Sequence, residues 1–122
     1  MSPVFVGWGV PVHVLLFEEN DFKPSANDVT SLVTDRSRVM ILNYPNNVTG
    51  LVLSYDEVVV LSKIAVERDL VVISDEVWES IMYDGAKHYY VRWIWEKHRN
   101  EWKGPLESLD NFRQSSSAHF FN

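Results

Sequence analysis

Two short stretches hold residue types and spacings that can do chemistry. Val72-Ile73-Ser74-Asp75-Glu76-Val77-Trp78-Glu79 sets adjacent carboxylates at the end of an apolar run, and Asn43-Tyr44-Pro45-Asn46-Asn47-Val48-Thr49-Gly50 sets amides and a hydroxyl after another. A carboxylate at a strand end can pair with a cation, or it can cap the segment that follows. An apolar strand ending in Asp-Glu is also what a magnesium–nucleotide site presents. That chemistry needs a glycine-rich loop ending in Gly-Lys-Ser or Gly-Lys-Thr, and the sequence has none. Taken alone, the Asn43–Gly50 stretch reads as a Pro-Asn turn with Gly50 at a positive φ. His13, His88, His98 and His119 share no ligand spacing and cysteine is absent, so neither a metal site nor a thiol nucleophile is expected.

The elements that must position these residues follow from patterning. Val39-Met40-Ile41-Leu42 and Leu70-Val71-Val72-Ile73 are continuous apolar runs, as in strands buried on both faces. Between them Ser54 and Glu57 form a capping box, Asp56 adds negative charge at the positive end of the helix dipole, and a helix runs to about Asp69. Val58, Leu61, Ile64 and Ala65 supply its buried face. A strand–helix–strand unit of this kind makes the strands parallel, with ligands at their carboxyl ends. Those ends are the Asn43–Gly50 loop and the Ser74-Asp75-Glu76 step. Upstream, Val12–Leu16 reads as a short strand, Phe17–Pro24 as a loop, and Ala26–Val33 as a helix begun by Ser25 and Asp28, with Val29, Leu32 and Val33 on one face. Val91–Lys103 fits an amphipathic helix, and residues 106–122 read as loosely ordered.

The chain has 122 residues, room for one small domain, and a net charge of −6, which argues against nucleic acid as a partner. Its charge is uneven: residues 1–90 carry thirteen acids and six bases, residues 91–122 four acids and five bases. The expected organisation is one segment over 1–90 and a divergent, tryptophan-rich tail over 91–122, with Trp93, Trp95 and Trp102 close together. Residues 1–17 are apolar but lack a basic residue and are broken by Pro3, Gly7, Gly9 and Pro11. They read neither as a signal peptide nor as a membrane span, and with the absent cysteines a cytoplasmic location is expected.

The two motifs together, with one helix between them, are far more specific than either. They resemble the fold type I (class I/II) pyridoxal-phosphate-dependent aminotransferases, whose pattern is Asn-x-Pro-x-Asn-Pro-Thr-Gly, then about two dozen residues, a hydrophobic strand and Ser-Asp-Glu-x-Tyr. Gly9-Val10-Pro11-Val12, Glu19-Asn20-Asp21-Phe22 and Tyr83-Asp84-Gly85 with His88 extend the likeness over Pro11–Tyr90. The resemblance implies an α/β fold, part of the mostly parallel three-layer α/β/α cofactor-binding domain. It implies pyridoxal 5'-phosphate as cofactor and amino transfer between an amino acid and a 2-oxo acid. By the same likeness Asp75 pairs with the protonated pyridine nitrogen, keeping the ring an electron sink. Asn47 donates to the ring 3'-oxygen, and Trp78 stands where the family has a tyrosine reaching that same oxygen.

The departures are as informative. Val48 replaces the family's proline, which also creates an Asn47-Val48-Thr49 glycosylation sequon, and the indole of Trp78 can donate but not accept. The Ser-x-Ser-Lys segment that binds the cofactor covalently does not occur, nor do the substrate-gripping arginine and the glycine-rich phosphate site. Lys87, Lys97 and Lys103 lie outside the family's context and read as surface charges, so no catalytic residue is assigned. Three options follow: an aminotransferase-family chain acting as a homo-oligomer or with a complementing chain; a truncated, non-catalytic remnant or interaction module; and, within the family, a carbon–sulfur lyase.

Overall fold

A computed structural model describes residues 9–46, 49–77, 80, 85–98, 100–102 and 112–115, the last four by their backbone. The chain divides into two units, Met1–Leu32 and Val33–Asn122. In the first, residues 9–17 form no strand, contrary to the expectation for Val12–Leu16. A strand exists only through a ladder, and the described residues of this unit offer no partner for one. A 3-10 turn over Glu18–Asn20 follows, closed by Asp21 at φ 52°. Helix α1, Ala26–Leu32, begins at Ser25, whose Oγ accepts from the Asn27 amide rather than from Asp28. Of the expected apolar face only Val29 is buried, and Leu32 is exposed.

The second unit is a parallel sheet with helices, as expected of an α/β chain. Strand β1 (Val39–Asn43) pairs with β2 (Val71–Asp75), from Val39 opposite Val71 to Asn43 opposite Asp75. Both strands run on to polar residues that lie beyond the apolar runs. Between them lies helix α2, Tyr55–Glu67. Its capping box is complete: Ser54 Oγ accepts from the Glu57 amide at 3.3 Å, and the Ser54 amide donates to Glu57 Oε2 at 2.7 Å. Val58, Leu61, Ile64 and Ala65 are buried as patterning requires, joined by Ser62 and Val66. The helix ends where Asp69 adopts φ 52°, a conformation that breaks the α ladder.

Helix α3 spans Val91–His98 and packs on α2. It ends at His98, short of the expected Lys103, which lies outside the described residues; after it the Glu101 amide donates to the His98 carbonyl three residues back, a tighter turn than the α-helix makes. Residues 112–115 form a third strand, β3 (Phe112–Ser115), parallel to β2 with Phe112 opposite Val72, giving the order β1-β2-β3. This corrects the expectation of loose order across that stretch. The pairing rests on backbone hydrogen bonds, which composition does not report.

The two faces of the sheet differ. Leu42, Val72 and Ser74 are buried, and Leu42 and Ser74 line one small cavity together with Val58 of α2 and Val91 of α3, so both helices cover this face. Val39 and Ile41 point the other way and stay 49% and 46% exposed. Parallel sheets are ordinarily covered on both faces, and here the apolar patterning exceeds what the helices of this unit bury. Among the described residues no helix is long and apolar enough to cross a membrane.

Candidate functional site

The strand ends meet as patterning requires. Asp75 closes β2 directly opposite Asn43, which closes β1. The Tyr44 amide donates to the Asp75 carbonyl at 3.2 Å, extending the ladder one step. Asn43 Nδ2 donates to Asp75 Oδ2 at 3.0 Å, and the Val77 amide reaches Oδ1 at 3.4 Å. Each carboxylate oxygen thus holds one internal donor and keeps lone-pair capacity for another. Asp75 is half-buried at the carboxyl edge of a parallel sheet, where such folds place ligands.

Glu76, its neighbour, has the opposite role. Alternation along the strand turns it with Ser74 to the helix-covered face, where it is 1% exposed. Its Oε1 accepts from the Ser74 hydroxyl at 2.9 Å and from the Val91 amide, the first of α3, at 3.3 Å. His88 Nε2 lies 3.5 Å from the same oxygen without hydrogen-bond geometry. The family resemblance gave Asp75 a role and left Glu76 without one. Period-two alternation from Ser74 was the signal that separates them.

The Asn43–Gly50 loop carries a cis peptide at Tyr44–Pro45. Asn46 organises the described part: its Oδ1 accepts from the Thr49 amide and hydroxyl at 3.0 and 3.2 Å, its amide donates to the Leu51 carbonyl, and its carbonyl accepts from Gly50. Gly50 has φ 68°, the turn conformation that its residue type suggested. Asn47, Val48 and Trp78 lie outside the described residues. Tyr44 is half-buried beside this loop; burial, and secondarily the negative charge of Glu57, push its phenol pKa up. A cavity of about 10 Å³, no more than one water, lies between Tyr44, Ser74, Glu76, His88 and Tyr89.

Lysine placement matters for any covalent chemistry. Lys63 and Glu67 pair along α2 at 3.8 Å, and Lys87 is exposed. Lys97 of α3 sits over the rings of Tyr55 and Trp93, 4.9 and 5.4 Å from their centroids. Among the described residues no group of three acids, histidines or cysteines could hold a metal.

A parallel α/β sheet with a carboxylate fixed at the end of its inner strand and an Asn-rich loop beside it puts polar groups at the sheet edge where α/β folds set ligands. The chain belongs to the aminotransferase class I and II family, whose model matches residues 3–102. That match continues past Tyr90 through helix α3. The chain is 41% identical over 98 residues to aromatic-amino-acid aminotransferase 2 of Thermococcus litoralis, covering 74% of this chain and 25% of that protein. It is 41% identical over 88 residues to an aspartate aminotransferase of Pyrococcus abyssi, covering 72% and 23%. Among solved structures, the aromatic aminotransferase of Pyrococcus horikoshii OT3 superposes with TM-score 0.66 at 42% identity, over 68% of this chain and 22% of that one. A tetra mutant of Thermus thermophilus aspartate aminotransferase gives TM-score 0.71 at 33% identity, over 75% and 25%. The chain therefore spans about a quarter of the length of the relatives it matches.

The family implies pyridoxal phosphate as cofactor, and the residues present fit one end of it. The Asp75 carboxylate, held by donors at both oxygens with acceptor capacity left over, suits a protonated ring nitrogen.

Proposed function

We propose that this chain serves pyridoxal-phosphate-dependent transfer of an amino group between an amino acid and a 2-oxo acid, as the segment that holds the ring-nitrogen end of the cofactor. The observation that carries the reading is the Asp75 carboxylate, fixed by Asn43 and Val77 at the carboxyl end of β2. When bound, the cofactor supplies an electron sink for charge developing at the substrate α-carbon. Asp75 would orient the ring and hold a proton on its nitrogen. Asn47 and Trp78 are proposed as the neighbours of the ring 3'-oxygen. The covalent lysine would come from a complementing chain, with assembly as a homo-oligomer the alternative arrangement, and a carbon–sulfur lyase would use the same Asp75. Residues 1–90 are proposed as the cofactor-binding portion, residues 91–122 as its divergent continuation, and the cytoplasm as its location.

Titrating the chain with pyridoxal 5'-phosphate, following tryptophan fluorescence, and reducing with borohydride tests this directly. Saturable binding that Asp75→Ala weakens about tenfold supports the reading, a loss in keeping with a hydrogen bond between charged groups. Binding that Asp75→Ala leaves unchanged refutes it. A stoichiometric, borohydride-reducible lysine adduct would instead mean that the chain carries its own covalent anchor.

The second reading, a non-catalytic interaction module, is favoured by the half-exposed Val39 and Ile41 and by Trp93 at 50% exposure. A purified chain that stays monomeric at high concentration and exposes no dye-binding apolar surface counts against it.

A further inference from the structure

Resting on the assignment of Asp75 to the ring nitrogen, we infer that Asn43 is the positioning residue for that carboxylate, setting how Asp75 meets the cofactor without touching it. Asn43 and Asp75 are register partners at the last step of the β1–β2 ladder, so their Cα atoms are fixed by backbone pairing before any side-chain bond forms. The side-chain bond across that step is the shorter of the two that the carboxylate receives, 3.0 Å from Asn43 against 3.4 Å from the Val77 amide. It lies partly buried between residues 32 apart in sequence, where a hydrogen bond is stronger than in water.

The residue type fits the task. Asparagine is a poor strand former, so ladder packing alone does not favour it at this position. Its amide offers an N–H donor on a short, two-torsion side chain, which an ionised carboxylate can only accept. With Oδ2 tied to Asn43 at the end of β1 and Oδ1 to Val77 in the turn after β2, the carboxylate plane is set by two points and cannot turn freely. Neighbouring Glu76 does not compete, because it is turned to the other face and engaged with Ser74 and Val91.

One comparison on the full chain tests this, made in the wild type, in Asn43→Leu and in the smaller Asn43→Ser, with circular dichroism selecting folded variants. It sets pyridoxal 5'-phosphate against its 1-deaza analogue, in which carbon replaces the ring nitrogen. The wild type prefers the natural cofactor by about tenfold, and the Asn43 variants lose that preference while binding the deaza analogue unchanged. A preference retained in the variants overturns the positioning role alone. Equal binding of both compounds by the wild type overturns the functional reading of Asp75, and the cofactor side of this inference with it.

Discussion

Glu76 and Val91, fifteen residues apart, are joined by a hydrogen bond of 3.3 Å from the first amide of α3 to a carboxylate that is 1% exposed. This bond and the Ser74 hydroxyl hold the strand end to the helix N-terminus, where a carboxylate also meets the positive end of the helix dipole. Truncating Glu76 to alanine leaves the Val91 amide buried without this acceptor, which costs about 2 kcal/mol. Glu76→Gln keeps an acceptor oxygen and costs about half of that. Urea unfolding followed by circular dichroism measures both, and an equal loss in the two variants would show that charge, not the accepted hydrogen bonds, sets the stability.

What was legible in the sequence is what is local. Ser54 and Glu57 lie within one helical turn, so their capping box and α2 could be read directly. The apolar runs located β1 and β2 but stopped short of Asn43 and Asp75, which stay in the ladder because backbone pairing does not need apolar side chains. The same blindness to pairing explains why Val12–Leu16 looked like a strand without being one, and why Phe112–Ser115 is one without looking so. Asp75 was legible from its place after an apolar run and from the family pattern. Asn43 stood in plain sight as the first residue of its motif, but its tie to Asp75 needs the register, and register is a property of two strands.

The capping box makes a clean test of local stabilisation. Ser54→Ala removes the acceptor for the Glu57 amide and should cost about 1 kcal/mol, within the usual range for a helix N-cap. Ser54→Asp keeps an acceptor there and should cost less. A urea midpoint unchanged in Ser54→Ala would mean that packing of the α2 face alone specifies where the helix starts.

The sheet's two faces give a matched pair of substitutions on adjacent residues. Leu42 is 8% exposed beneath the helices, and Leu42→Ala should cost about 2–4 kcal/mol through lost burial and the cavity left behind. Ile41 is 46% exposed on the opposite face, and Ile41→Ala should cost below about 1 kcal/mol. If Ile41→Ala proves as damaging as Leu42→Ala in the isolated chain, that face is covered in solution, most directly by self-association, and sedimentation of the wild type would then exceed the monomer mass.

Tyr44 supplies the prediction at alkaline pH. Burial first, and the nearby Glu57 charge second, raise its phenol pKa above the ordinary value of about 10. Between the unfolded and folded values the folded chain therefore keeps a proton that the unfolded chain has released. Stability accordingly falls as pH climbs past about 10, because the unfolded state binds fewer protons there. Tyr44→Phe removes this contribution, so its stability should decline less steeply above pH 10 than that of the wild type, in urea titrations run at successive pH values. Ultraviolet titration of phenolate supplies the second check, since one late-ionising tyrosine should vanish from the curve in Tyr44→Phe. A wild type whose tyrosines all ionise together near their ordinary value would show that water reaches the Tyr44 hydroxyl freely, and that the space between β1, β2 and α3 opens in solution.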